Sequence, residues 1–202
     1  WPVLTLRYTH GFDNVLGSNF SYNKLEGIWF QTIPIKGFGR FSYQFTGGEF
    51  IGDLPLSRLH PFQSNGQASI FSDYYVMNAM PYNTFYGSRF GTANLHLNIE
   101  NSGWPNPKWA PDPMLAYGFA IGELANYNNN PDHQSEWVLQ APEQGYHEVG
   151  LEISNLIPVT DISILNSLNT FSVGAYYRFG PHAEGNFNDD VAFKIGFDFL
   201  LN

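Results

Sequence analysis

Hydrophobic and polar residues alternate with a period of two along most of the chain. A β-strand places successive side chains on opposite faces, so each alternating stretch predicts a strand with one bulky apolar face and one polar or small face. A further stretch, Phe20 to Ile33, is apolar on both faces and predicts a strand with a bulge. About eight strands are expected. The clearest alternating stretches are 4–8, 40–46, 92–100, 115–122, 148–154, 171–179 and 191–201.

Helices contribute little to the predicted fold. No stretch has convincing helical periodicity, although Asp73 to Met80 is compatible with a short turn of helix. No run approaches the roughly 18 apolar residues that a membrane-spanning helix needs. Polar connections rich in Gly, Pro and Asn alternate with tighter links such as Pro34 to Gly39. The long polar connections are predicted at Gly47–Ser72, Asn101–Pro113, Asn126–Gly145 and Gly180–Asp190. Asn155–Asn169 is also long, but it is apolar enough to pack.

The residues on the second face of each strand favour a barrel over a soluble sandwich. The outer face of a sandwich carries charge, whereas here the second face is often Gly, Ala, Ser or Asn. Between Leu115 and Ala125, bulky residues alternate with Ala and Gly. In a membrane barrel the bulky face meets lipid and small or polar residues line the lumen. The pattern predicts an all-β fold, an antiparallel transmembrane β-barrel of the outer-membrane type.

Aromatic residues and the last strand agree with this interpretation. Rings with a polar tip prefer the headgroup layers of a membrane, although aromatic residues also favour strands in general. The stretch 191–202 places bulky residues in one row and resembles the terminal strand of bacterial outer-membrane barrels. The aromatic residues predicted to form girdles are Tyr8, Trp29, Tyr43, Tyr117, Tyr177, Phe179, Phe197 and Phe199.

Composition excludes several classes of protein. The 18 Phe, 12 Tyr and 5 Trp among 202 residues argue against a disordered chain. Nine Lys and Arg against 18 Asp and Glu give a net charge of −9, which argues against nucleic acid as a partner. The absence of cysteine excludes disulfides, thiolate metal sites and a cysteine nucleophile.

No residue pattern predicts a catalytic, cofactor-binding or metal site. The chain lacks the His-Glu-x-x-His spacing of zinc enzymes and the Gly-x-Ser-x-Gly turn of serine hydrolases. A polar loop with Asn128–Asn130, Asp132, His133 and Glu136, and the Asp189–Asp190 pair, are interpreted as solvated turns. The histidines considered are His10, His60, His96, His133, His147 and His182.

Charged residues are predicted to line the lumen. Glu148 and Glu152 share a strand face, but their Cα atoms are about 13 Å apart at the rise of a strand. Paired carboxylates in glycoside hydrolysis lie about 5–9.5 Å apart. His96 is expected on the same lining. The predicted charged lining consists of Arg40, Glu100, Glu148, Glu152, Arg178, Lys194 and Asp198.

Several motifs together resemble the C-terminal barrel region of a Bacteroidetes-type family of outer-membrane proteins. They are PVLTLRYTHG (2–11), VLGSNFSYNKL (15–25), GGEFIGDLPL (47–56), DYYVMN (73–78) and EVGLEISNL (148–156). The resemblance implies a carboxypeptidase-regulatory-like domain ahead of the barrel, and no settled biochemical activity. About eight strands could close into a single barrel domain over residues 1–202, since eight is the smallest common barrel. The resemblance implies instead that residues 1–202 are the C-terminal part of a larger barrel.

Three functions follow as hypotheses. The leading one is a non-enzymatic protein of the bacterial outer membrane, which is structural, a pore, or a subunit of an assembly, secretion or uptake complex. Its expected partners are outer-membrane lipid and other outer-membrane or periplasmic proteins, without nucleic acid or cofactors. The alternatives are a soluble, secreted β-sandwich that binds carbohydrate through Trp104, Trp109 and Trp137, and an outer-membrane barrel enzyme.

Overall fold

The computed structural model describes residues 1–13, 21–52, 58–64, 75–100, 111–125, 139–155 and 168–199, and these residues form an all-β structure. Eight strands build one antiparallel sheet, two short strands build a second one, and a single helical turn precedes the last strand. The elements are β1 (Val3–Gly11), β2 (Tyr22–Ile35), β3 (Gly39–Gly52), β4 (His60–Pro61), β5 (Tyr86–Gly87), β6 (Arg89–Ile99), β7 (Asp112–Glu123), β8 (Tyr146–Ser154), β9 (Leu168–Phe179), α1 (Phe187–Asp190) and β10 (Val191–Phe199).

The large sheet is an open meander. Its strand order is β1-β2-β3-β6-β7-β8-β9-β10, so every strand pairs with its neighbours along the chain except where β4 and β5 intervene. Within the described residues, β1 and β10 each pair on one side only, and the sheet is not closed into a ring. Among these residues, no helix is long and apolar enough to cross a membrane.

The two faces of the sheet differ sharply in composition. The strand registers place Leu6, Trp29, Leu115, Val149 and Ile195 on one side, which we call the apolar face. Its large side chains are exposed even on interior strands, with Trp29 at 47% and Leu115 at 48%. The opposite side, which we call the polar face, is mostly covered. Its buried polar residues are Glu26, Ser42, Asn94, His96, Glu148, Glu152, Ser172, Arg178 and Lys194.

Part of the polar face is covered by the described residues of the chain between β3 and β6. We call these residues, 58–64 and 75–88, the covering segment. Leu59, Phe62, Met77, Met80 and Phe85 from this segment form a small apolar core with residues of the sheet. The core therefore lies on the side of the sheet that also holds the charges. The sheet residues of this core are Tyr22, Phe50, Phe90, Ala120 and Tyr146.

The seven strands predicted from the period of two are confirmed, and so is the strand predicted in Phe20 to Ile33. The bulge predicted in Phe20 to Ile33 is wrong within the described residues, because β2 pairs with β1 and β3 in uninterrupted register. Its second face is apolar for another reason. The Phe30 ring contacts Tyr75 of the covering segment at 5.5 Å between centroids.

Two boundaries are also corrected. The predicted connection Gly47–Ser72 begins later, because β3 continues to Gly52 and pairs with the start of β6. Residues 75–80 form turns and bends instead of the predicted helical turn. Their amides are engaged elsewhere, since Met77 N donates to Gln63 O, and Asn78 N and Ala79 N donate to the Glu148 carboxylate.

Glycines make room for the covering segment on the polar face. A Cβ atom at Gly118 would lie 2.6 Å from Met77 Sδ and 2.8 Å from Glu148 Cγ. We expect Gly118→Ala to lower the free energy of unfolding by about 1–3 kcal/mol through overpacking. Denaturant unfolding measures the change. Gly91→Ala is the control, because its nearest contact would be an ordinary 3.6 Å; equal losses in both variants would contradict the packing described.

Candidate functional site

The contact between the polar face and the covering segment is the candidate functional site. Charged and polar side chains from six strands are buried here: β2, β3, β6, β8, β9 and β10. A buried charge is costly unless it is paired or hydrogen-bonded, so the partners of each group determine what the site can do.

Glu148 of β8 fixes the covering segment to the sheet. Its carboxylate accepts hydrogen bonds from Asn78 N at 2.7 Å and from Ala79 N at 2.8 Å. The hydroxyl of Tyr146 donates a third bond at 2.9 Å. Only 2% of Glu148 is exposed, so these three donors replace the water that the carboxylate would otherwise bind.

A second buried carboxylate, that of Glu152, is paired within the large sheet, which forms the wall of the site. Glu152 accepts a hydrogen bond from Tyr176 at 2.8 Å and pairs with Lys194 at 3.4 Å. All three residues lie on β8, β9 and β10 and project from the polar face. The cation and the hydroxyl compensate the buried charge within the sheet.

A third buried charged group, the pair of Arg178 and Asp190, lies where α1 meets β9 and β10. Arg178 donates to Asp190 Oδ1 at 2.9 Å, and the Asp190 carboxylate also accepts from Glu184 N and Gly185 N. Burial alone would raise the pKa of Asp190, but the bonds from Glu184 N, Arg178 and Gly185 N outweigh burial and hold the pKa below its usual value. The predicted solvated turn at Asp189–Asp190 is therefore wrong for Asp190, which is 1% exposed.

Two histidines are packed between the sheet and the covering segment. His60 of the covering segment stacks on Phe90 with 3.6 Å between ring centroids, and His96 of β6 stacks on Tyr75 at 5.3 Å. Burial and the nearby charge of Lys24 lower the pKa of His60 to about 4, against the opposing effect of Glu26. His60 is therefore neutral at neutral pH.

Four of the seven residues predicted to form the charged lining lie together on the polar face. Glu148, Glu152, Arg178 and Lys194 are all buried on the polar face. Arg40 pairs with Glu100 in an exposed contact at the end of the sheet. The side chain of Asp198, the residues 128–136 and the three loop tryptophans 104, 109 and 137 lie outside the described residues. In the part of the chain that is described, no group of three or more His, Asp or Glu side chains is placed to hold a metal ion.

The sequence did not indicate the covering segment. The segment donates to Glu148 through backbone amides. Every residue except proline has such an amide, so no residue type in the sequence marks this contact. The only trace in the sequence is the row of small residues on β7, Gly118, Ala120 and Gly122, which leaves space for Met77 and Phe62.

The fold and the site together define a class: an open antiparallel sheet whose polar face is filled by its own chain and whose apolar face is exposed. Residues 1–104 match the model of a family of unknown function, the C-terminal domain of DUF5686 proteins. Because these residues make up more than half of the chain, the chain belongs to that family. The searches of curated proteins and of solved structures returned no match.

Glu148→Gln tests the attachment of the covering segment. The amide of glutamine cannot accept at both atoms, so one of the two segment amides loses its partner, at a cost of about 1–3 kcal/mol. We expect the amides of Asn78 and Ala79 to exchange hydrogen about ten-fold faster or more. The control is Glu152→Gln, which changes a buried glutamate of the same face. If Glu152→Gln accelerates these two amides as much as Glu148→Gln does, the carboxylate of Glu148 is not the attachment.

His60 predicts an acid-sensitive contact. Its pKa is lowered in the folded state, so the unfolded chain binds more protons and stability falls as pH drops from about 6.5 to about 4. Between pH 7.5 and pH 5 we expect the wild type to lose on the order of 1–2 kcal/mol more than His60→Phe, which keeps a ring on Phe90. Denaturant unfolding at the two pH values measures the difference. Identical losses would show that folding does not lower the pKa of His60.

Proposed function

We propose that the chain forms part of a transmembrane β-barrel of the bacterial outer membrane. The apolar face would contact lipid, and the covering segment would lie in the lumen against the polar face. One observation carries the proposal: the large apolar side chains are exposed on one face while the charges are buried on the other. A soluble monomer rarely exposes an apolar surface of this extent.

Polar residues border the apolar face at the end of the sheet where the longer connections leave. Glu49, Arg89 and Glu123 face one another on β3, β6 and β7, and Arg89 pairs with both carboxylates. Beyond this row, the apolar face of β6 carries only Gly, Ala, Leu and Ile from Gly91 to Ile99. That distance is about 27 Å along a strand. At the tilt of about 35–45° that barrel strands have, this length spans about 19–22 Å of membrane thickness, which approaches the roughly 25 Å apolar band of outer-membrane barrels.

Aromatic side chains on the apolar face support the same proposal. Trp29 contacts Tyr43 and Phe45 at 5.9 and 6.3 Å between ring centroids. Tyr117 shares a hydrogen bond of 2.9 Å with His147. A tyrosine whose hydroxyl is paired with a neighbouring side chain can lie within an apolar surface, because the paired group no longer needs water as a partner.

The open sheet is compatible with a larger ring. β1 and β10 run in opposite directions, because eight strands alternate in direction. A ring would therefore be completed by an even number of additional antiparallel strands. We propose that the chain is the C-terminal part of such a barrel in a Bacteroidetes-type protein, behind a carboxypeptidase-regulatory-like domain. Its role would be non-enzymatic: structural, a pore, or a subunit of an envelope complex with other outer-membrane or periplasmic proteins.

Ile195→Arg tests which face meets lipid. Ile195 lies near the middle of β10 and is 60% exposed. In a bilayer we expect this charge to cost about 2–4 kcal/mol and to reduce the heat-modifiable, folded fraction on a gel. Ile195→Leu keeps an apolar side chain, and Tyr82→Arg places the charge at an exposed residue outside the large sheet; both should fold like the wild type. Folding of the wild type without detergent or lipid, as a soluble monomer, would contradict the proposal.

A further inference from the structure

A polar cavity of about 160 Å³ lies between the covering segment and the strands nearest the β1 edge. The sheet contributes Arg7, Glu26, Gln44, Thr46, Thr92 and Asn94, and the covering segment contributes His60, Gln63 and Tyr75 among others. A water molecule occupies about 30 Å³ of liquid, so the cavity has room for several waters or for one small solute. The cavity is separate from the Glu148 contact, because its sheet residues lie on β1, β2, β3 and β6, whereas Glu148 lies on β8.

The charges around this cavity do not balance. The Glu26 carboxylate is contacted by two cations, Lys24 at 2.9 Å and Arg7 at 3.3 Å. His60, the third basic group, is buried and neutral at neutral pH. Among the described residues, these two cations and one carboxylate leave one excess positive charge beside the cavity, although Lys24 itself does not line it.

Arg7 is placed to use that excess charge. Its contact with Glu26 involves a single nitrogen, Nη1, and the side chain is 63% exposed at the open rim of the cavity. A guanidinium carries five N–H donors in a planar fork that matches the oxygens of a carboxylate or a phosphate. Gln44, Gln63 and Thr92 also line the cavity, and their side chains carry amide and hydroxyl groups that can donate hydrogen bonds.

We propose that this cavity is a binding site for a small oxyanion, a carboxylate or phosphate of about four to six non-hydrogen atoms. Arg7 provides the charged contact, and the neutral donors of the sheet and the covering segment surround the remaining oxygens. The site rests on the contact between the segment and the wall and not on the membrane location. Its test and that of the proposed function can therefore fail separately.

Binding is tested on the folded chain by titrating inorganic phosphate and acetate, with chloride at the same ionic strength as the reference. Calorimetry gives the affinity, and the side-chain amide resonances of Gln63 and Asn94 report the location. We expect saturable binding that Arg7→Gln weakens about ten-fold or more. The variant should fold, because Glu26 keeps its pair with Lys24.

Two further variants distinguish binding in the cavity from nonspecific electrostatic attraction of anions to exposed arginines. Arg40→Gln is the matched control, because Arg40 is also an exposed arginine paired with one glutamate but does not line the cavity. It should bind like the wild type. Thr92→Leu fills part of the cavity without changing the charge and should abolish binding. The proposal is overturned if phosphate and acetate bind no better than chloride, or if Arg40→Gln weakens binding as much as Arg7→Gln.

Discussion

The pleat of a β-strand sends every second side chain to the same side of the sheet, and in this chain that rule separates two kinds of surface. Glu148, Glu152, Arg178 and Lys194 share the polar face, where each finds a partner among side chains or amides. The same alternation leaves the bulky residues on the other face without a layer above them in the described part of the chain. In a soluble protein, a sheet of this size would have its apolar face covered and its polar face exposed to water. The covering segment and the proposed lipid contact are thus two consequences of one pattern.

The strands were predictable because their signal is local. Alternation requires only neighbouring residues, and it located seven of the eight strands of the large sheet and both of its faces. The errors occur where a distant contact overrides the local pattern. Phe30 and Ile28 make β2 look apolar on both faces because the covering segment, far along the chain, packs on one of them. Gly47 and Gly48 suggested a loop, but pairing with Gly91 and Phe90 extends β3 through them.

Only the part of the candidate site that lies on the large sheet was predictable from the sequence. The spacing of Glu148 and Glu152 put both carboxylates on one face, and cross-strand register then adds Arg178 and Lys194. The attachment of the covering segment joins residues 70 positions apart through backbone amides, which no motif marks. The cavity beside Arg7 likewise depends on how the segment lies on the sheet. Such contacts follow from the tertiary arrangement and have no short sequence signature.

The central claim, that the apolar face meets hydrocarbon, is tested most directly by the fluorescence of Trp29. This residue is 47% exposed on the apolar face of an interior strand. Replacing Trp1, Trp104, Trp109 and Trp137 with Phe leaves Trp29 as the single emitter. In vesicles of phospholipid brominated along the acyl chains, the account predicts strong quenching of Trp29 and little quenching by iodide in the water. Quenching by iodide together with insensitivity to the brominated chains would contradict it.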